Sequence, residues 1–338
     1  KMGRVWRKKG DLRLSLDYLS RGLQLFEQAD DERGIAGSLD DIGQVHYLLG
    51  NFEEAHNKVT AGLQRRGKGG NRRSIATSLS TLGNIQHNRG SVEEALNCHR
   101  EALQLRRDSG DRAGVASSLN NLAVIAYERG SLSEAKEGWE QALKEAEAIG
   151  ALPLQAHVLA NLGEIALTES RHDEARRRLS ECVQIAIDIA DRRLEVESRR
   201  NMARLEHQEG NSSAAREHAH LAHTVASDAG LRDYEGRALL TLAEVFGGTL
   251  FDAGQTDENL EEHSGESTAE GYFKQGIDLM RAIGNEGELA KGLESYGCYK
   301  IEQGDSEAGR VLLEQCLEIY TRLGLRQRKN AEKLLASL

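Results

Sequence analysis

Asn121, Asn161 and Asn201 stand forty residues apart. A carboxamide both donates and accepts, so it can match the N–H and the C=O of an extended peptide. Asp41, Thr81 and Thr241 occupy the same column, and an Asn there could equally bond to a neighbouring segment and only fix its position. Arg200 and Arg204 lie four apart beside Asn201, a helical spacing that would let both guanidinium groups grip one ligand carboxylate. Glu164, forty residues before Arg204, offers a competing structural ion pair, which is favoured for the unbound protein. Tyr47, His87, Tyr127 and His207 form a second column suited to stacking or polar contacts, although simple surface exposure explains them too. Asn84 completes the set of candidate peptide-contacting residues.

Other chemistry is harder to find. His218, His220 and His223 cluster, but only His220 and His223 can share a helix face, so a solvated surface is preferred to a metal site. The segment GKGGNRRS at 67–74 lacks the spacing of a phosphate-binding loop and reads as a long turn. No nucleophile elbow, zinc-protease or kinase signature is present. Cys98, Cys182, Cys298 and Cys316 are isolated from one another and read as reduced, mostly buried small hydrophobes. No catalytic residue and no cofactor is expected.

The elements that would position these residues follow from a repeat. The stretch SLNNLAVIAYERGSLSEA at 118–135 stands forty residues after SLSTLGNIQHNRGSVEEA and eighty after SLDDIGQVHYLLGNFEEA. Gly10, Gly50, Gly90, Gly130 and Gly210 keep the same step, with Ser170 in the vacant slot. Gly3, Gly43, Gly83, Ala123, Gly163, Ala203 and Ala243 form a small-residue column, and Ala55, Ala95, Ala135, Ala175 and Ala215 another. Leu79, Leu82 and Ile85, then Ala95, Ala102 and Leu105, predict one apolar stripe on each of two helices per period. The Gly between them ends the first helix. Asn51 with Glu54, Ser91 with Glu94 and Ser131 with Glu134 are predicted to start the second as capping boxes. A single hairpin cannot bury both faces, so the pairs must stack.

This pattern resembles the tetratricopeptide repeat: Leu-Gly, a Gly seven residues on, Ala five beyond, then a second small residue such as Ala102 or Ala142. The resemblance spans nearly the whole chain and implies an all-α, right-handed superhelical solenoid of antiparallel helix pairs. It also implies that first helices line a concave groove, which would gather the Asn, Arg and aromatic columns there. The family's unit is thirty-four residues and ends in Pro; here a six-residue longer connection, within RRDSGDRAGVASSL, replaces it. Forty-residue units are similar to arrays in Pins-type polarity adaptors and in bacterial multidomain signalling proteins.

The expected layout is a repeat array over 1–247 with a truncated first unit, an acidic insertion over 248–268, closing units over 269–325 and a capping helix over 326–338. The insertion follows from Ala243 and Gly297, equivalent positions that lie 54 apart, and is read as a solvated acidic loop able to compete for the groove. Because the chain starts inside a first helix, it reads as a fragment of a longer protein. The composition carries 39% hydrophobic residues, one proline and a net charge of −10. It suits helices and disfavours a nucleic-acid groove, which needs clustered Lys and Arg. No membrane span or signal peptide is apparent, and a cytoplasmic setting is expected. The predicted function is a protein-interaction module that holds an extended partner segment bearing acidic residues, with self-association through an exposed end as a further expectation. The alternative is a regulatory or sensor tail of a bacterial signalling enzyme such as a Ser/Thr kinase.

Overall fold

The computed structural model describes residues 1–67, 70–248, 268–325 and 327–338. Every regular element among them is a helix. In order these are α1 (Met2–Lys8), α2 (Leu12–Gln28), α3 (Glu32–Leu48), α4 (Phe52–Arg66), α5 (Arg72–Asn88), α6 (Val92–Asp108), α7 (Arg112–Glu128) and α8 (Leu132–Ala148). There follow α9 (Leu152–Thr168), α10 (His172–Asp188), α11 (Arg192–Gln208), α12 (Ser212–Asp228) and α13 (Arg232–Gly247). The series closes with α14 (Ala269–Ile283), α15 (Glu286–Glu302), α16 (Ser306–Leu323) and α17 (Arg328–Ala336). They form a helix-pair solenoid. It divides into two compact units, Lys1–Val158 and Leu159–Leu338.

Two seventeen-residue helices and two three-residue connectors make up the forty-residue period. The expected longer connection is therefore corrected: α6 runs on to Asp108, and only Ser109, Gly110 and Asp111 lie between it and α7. Arg106, Arg107 and Asp108 stay helical because the turn closes on itself. The Gly110 N–H donates to the Arg107 carbonyl at 3.1 Å and the Asp111 N–H to Arg106 at 2.9 Å. This is the paired closure of a helix that ends in a left-handed residue. Gly130 fills the same role with φ of 82°, while Ser170 and Ala190 adopt φ of 54° and 56° without being glycine.

The capping boxes are a second correction. Asn51, Ser91 and Ser131 do stand at the N-caps of α4, α6 and α8, but none makes a side-chain cap bond. The N–H that the box glutamate would need is already spent: Asn51, Ser91 and Ser131 donate it back to His46, Gln86 and Ala126 of the preceding helix. Side-chain caps occur at the first helices α3, α5, α7 and α11, where Asp31, Asn71, Asp111 and Asp191 accept from the first turn, and at the second helices α2, α14 and α16 through Asp11, Thr268 and Asp305.

Packing explains the small-residue column. A Cβ at Gly43 would lie 2.5 Å from Val59, at Gly83 2.7 Å from His99 and at Gly163 2.6 Å from Leu179. First and second helices of each pair touch there, backbone against side chain. The core is a chain of small clusters, such as Ala55, Val59 and Ile85, then Ala76, Leu79 and Ala102. Each fully buried side chain the size of Ile85 contributes about 1.5–3 kcal/mol. In the second unit, Leu313, Cys316, Tyr320 and Ala331 belong to one larger cluster against which Leu334 and Leu335 of α17 pack. Cys182 and Cys316 are buried, Cys98 and Cys298 half-buried, and all four are free thiols. Of the acidic insertion expected over 248–268, residues 249–267 lie outside the described residues, as do Lys68 and Gly69 of the glycine-rich turn.

Candidate functional site

The candidate residues all lie on first helices, as their forty-residue spacing requires, and neighbouring first helices are stitched together through them. One register joins residues thirty-seven apart. Arg4 donates to Asp41 at 2.6 Å, Gln44 to Thr81 at 3.4 Å and Asn121 to Asn84 Oδ1, also at 3.4 Å. Asn84 and Asn121 are thus partners of each other. A second register joins residues forty or forty-one apart. The Tyr47 hydroxyl accepts from Asn88 at 3.0 Å, and His87 Nε2 lies 2.7 Å from a Glu128 carboxylate oxygen. Tyr47 also packs its ring against Phe52, and Tyr127 packs against Trp139. Asn161, Asn201 and His207 are half-buried on α9 and α11.

The two arginines part company. Arg200 is sealed, with 6% of its side chain exposed; Nε donates to Thr241 at 3.0 Å and Nη1 to Glu197 at 2.8 Å. Burial pulls its pKa down, opposed by Glu197. Glu197 also accepts from Arg237, which pairs with Asp233. A ligand carboxylate at Arg200 would have to displace this network, so the expected two-arginine grip reduces to Arg204. That side chain keeps 34% exposure, and its Nε donates to Glu244 at 3.3 Å. Glu244, with Glu197 beyond it, raises the Arg204 pKa, so the guanidinium is a permanent cation. Its ion-pair partner lies one repeat further on, whereas Glu164, the expected partner, faces it across a cleft.

That cleft, of about 550 Å³, lies in the second unit. Glu164, Leu167 and Thr168 from the end of α9 form one wall, and Asn201, Arg204 and Gln208 of α11 the other. Ser170 and His172 close the end. His172 Nδ1 is 3.3 Å from Glu209, whose carboxyl is held below its ordinary range, chiefly by Arg176. Apolar Leu167 sits among donors and acceptors of both signs, a lining suited to a peptide backbone with mixed side chains. Thr168, Ser170, His172 and Gln208 were not singled out from sequence. Their signal is positional: they fill the last turn of α9, the connector after it, the first position of α10 and the last turn of α11.

Among the described residues no group of three or more His, Cys, Asp and Glu could hold a metal ion. His220 instead packs its ring against Phe246 and Tyr272. No helix among the described residues is long and apolar enough to cross a membrane.

Residues 74–148 and 115–188 match the tetratricopeptide repeat family. The matched stretch runs from α5 to α10. No curated protein matches the whole sequence significantly. Among solved structures, the apo form of the quorum sensor NprR from B. thuringiensis superposes with a TM-score of 0.69 at 14% identity, covering 94% of this chain and 85% of that one. Aspartyl phosphate phosphatase F from Bacillus subtilis gives 0.68 at 12% identity, covering 90% and 75%. A Rap protein complexed with Competence and Sporulation Factor gives 0.65 at 13%, covering 92% and 84%. At such identities the likeness establishes a shared helix-pair fold.

Proposed function

We propose that this chain is a peptide-responsive regulator whose first helices hold an extended segment of a peptide or protein partner. The observation that carries the reading is the cleft between α9 and α11. There Asn201 can meet a ligand backbone, Arg204 can receive an acidic side chain and Leu167 can receive an apolar one. Arg204 donates from Nε to Glu244, and its side chain keeps 34% exposure on the cleft wall. Asn161 belongs to the same series on α9, and His172, anchored to Glu209, bounds the site.

Two of the structurally similar proteins are named as a quorum sensor and as a complex with a sporulation factor, which favours a signal-receiving role over a purely architectural one. The phosphatase name of the third is not carried over, since the cleft holds no residue set that defines such chemistry. The narrower likeness to Pins-type adaptors is not needed for this reading, nor is a kinase attached to the chain.

Selection of a peptide library on the intact chain, followed by calorimetric titration of the best binder, tests the proposal. Asn201→Ala is expected to weaken binding about two- to tenfold, the worth of one net hydrogen bond. Arg204→Ala should weaken an acidic peptide more at low salt than at high salt, because the contact is charged and accessible. A binder whose affinity neither change affects would move the site away from this cleft.

A further inference from the structure

A second cleft, of about 400 Å³, lies in the first unit where α6, α7 and α8 meet, away from the column of asparagines. Its lining is strongly basic: Arg106, Arg107, Arg112 and Lys144 stand against one carboxylate, Glu145. Arg112 neutralises Glu145 at 2.7 Å. Arg106, Arg107 and Lys144 are three further cations there, in a chain whose net charge is −10. Arg107 and Lys144 are exposed, and neither makes an ion pair among the described residues. Val115 and Leu119 supply an apolar wall beside them.

Arg106 is the unusual member. It is 7% exposed, yet both of its hydrogen bonds run from Nη1 to neutral acceptors, the Gly114 carbonyl at 3.1 Å and the Ser118 hydroxyl at 2.6 Å. Its nearest carboxylate, Asp111, is held by Arg73 through two bonds of 2.9 and 3.0 Å. Burial lowers the Arg106 pKa, the direction expected of a cation short of a counter-charge.

The repeat shows what is missing. One period earlier Arg66 occupies the equivalent place and pairs with Asp40 at 2.7 Å, while also donating to Ser78, the counterpart of Ser118. The residue equivalent to Asp40 is Ser80, so the Arg106 unit has lost its carboxylate. The neighbour has changed as well. A Cβ at Gly62 would lie 2.7 Å from the Asp40 carboxylate, and the equivalent residue is Ala102, which closes the space an aspartate would need. A buried arginine stripped of its partner is costly unless another anion arrives.

We infer that this cleft binds a phosphate monoester, its dianionic head received by Arg106, Arg107 and Lys144 and its organic part resting on Val115 and Leu119. Guanidinium forks match phosphate oxygens in pairs, and a dianion gains more from three cations than a single carboxylate does. The same head group occurs on small metabolites and on phosphorylated side chains of proteins, and the cleft is open enough for either.

The test is calorimetric titration of the intact chain with phenyl phosphate and, in parallel, with a short phosphotyrosine peptide. Saturable binding is expected, at least tenfold weaker in Arg107→Ala/Lys144→Ala, whose exposed positions leave the thermal midpoint unchanged. Ser80→Asp/Ala102→Gly, which grafts the Asp40–Arg66 arrangement onto Arg106, should suppress binding from within, with folding checked by circular dichroism. A peptide at least tenfold tighter than phenyl phosphate assigns the ligand to a partner protein, and similar affinities assign it to a free ester. No saturable binding of either probe, or binding unchanged in Arg107→Ala/Lys144→Ala, overturns the inference.

Discussion

At the scale of single residues, the connectors show where this chain is not at its stability optimum. Ala190 holds φ of 56° in a slot that Gly110, Gly150 and Gly230 fill elsewhere at 64° to 66°. The left-handed conformation costs a residue with a Cβ about 1–2 kcal/mol, and glycine gives back part of that through its freer unfolded state. Ala190→Gly should therefore raise stability by up to about 1 kcal/mol, seen as a higher urea midpoint at unchanged slope. His99 carries the opposite kind of signal. Its ring lies buried against Gly83, and burial, reinforced by Arg106 and His87, lowers its pKa to about 4. Because the folded value lies below the ordinary 6.5, the unfolded chain takes up the proton first as pH falls. This contribution is intact above about pH 6.5 and is lost progressively down to about pH 4, by at most about 3 kcal/mol. His99→Leu, which copies Leu19 and Leu179 in the same column, should flatten that part of the pH–stability curve in urea titrations.

At the scale of helices, size is traded across the junction between one pair and the next. Phe26 packs on Gly34 and Arg106 on Gly114, where a Cβ on either glycine would fall within 2.6 Å of the large side chain. Later units reverse the arrangement: Ala146, Ala186 and Ala226 stand where the large residues were, and Leu154, Leu194 and Tyr234 where the small ones were. Ala226 and Tyr234 share one apolar cluster. The volume at the junction is conserved although neither position is. Gly114→Leu alone should cost about 1–3 kcal/mol through overpacking, and adding Arg106→Ala should recover most of it. A double variant no more stable than Gly114→Leu would show that the two positions do not share that space.

At the scale of the molecule, stability is spread over local junctions because each cluster draws only on helices near one another in sequence. Nearest-neighbour arrays of this kind loosen regionally. Gly83→Leu should accordingly speed amide hydrogen exchange in α5, α6 and the helices flanking them, while α15 and α16 keep their protection. Uniform acceleration along the whole chain would point to a single cooperative core. The two candidate sites differ in the same spirit. The cleft at Asn201 is built from the repeated columns of first helices, whereas the basic cleft arises where one repeat departs from its predecessor.

What could be read from the amino acids alone was whatever depends on nearby residues. The forty-residue step of Gly90 and Gly130 marks left-handed connectors, the stripe of Leu79 and Ile85 marks a helix face, and Gly43 and Gly83 mark close approach. Each rests on short-range sterics or on a helical period, so helix pairs and their stacking followed directly. Where each side chain finds its partner did not. Asn121 and Asn84 meet at a separation of thirty-seven residues and His87 and Glu128 at forty-one, because the registers between neighbouring first helices depend on how the pairs pack. Arg204 turns to Glu244, one repeat further on, for the same reason. The capping glutamates failed because the N–H they needed was taken by the turn before, and the extra six residues went into the helices because three residues suffice to close that turn. Arg106 is buried by packing, and it lacks the carboxylate that Asp40 gives Arg66 because Ser80 stands in that place.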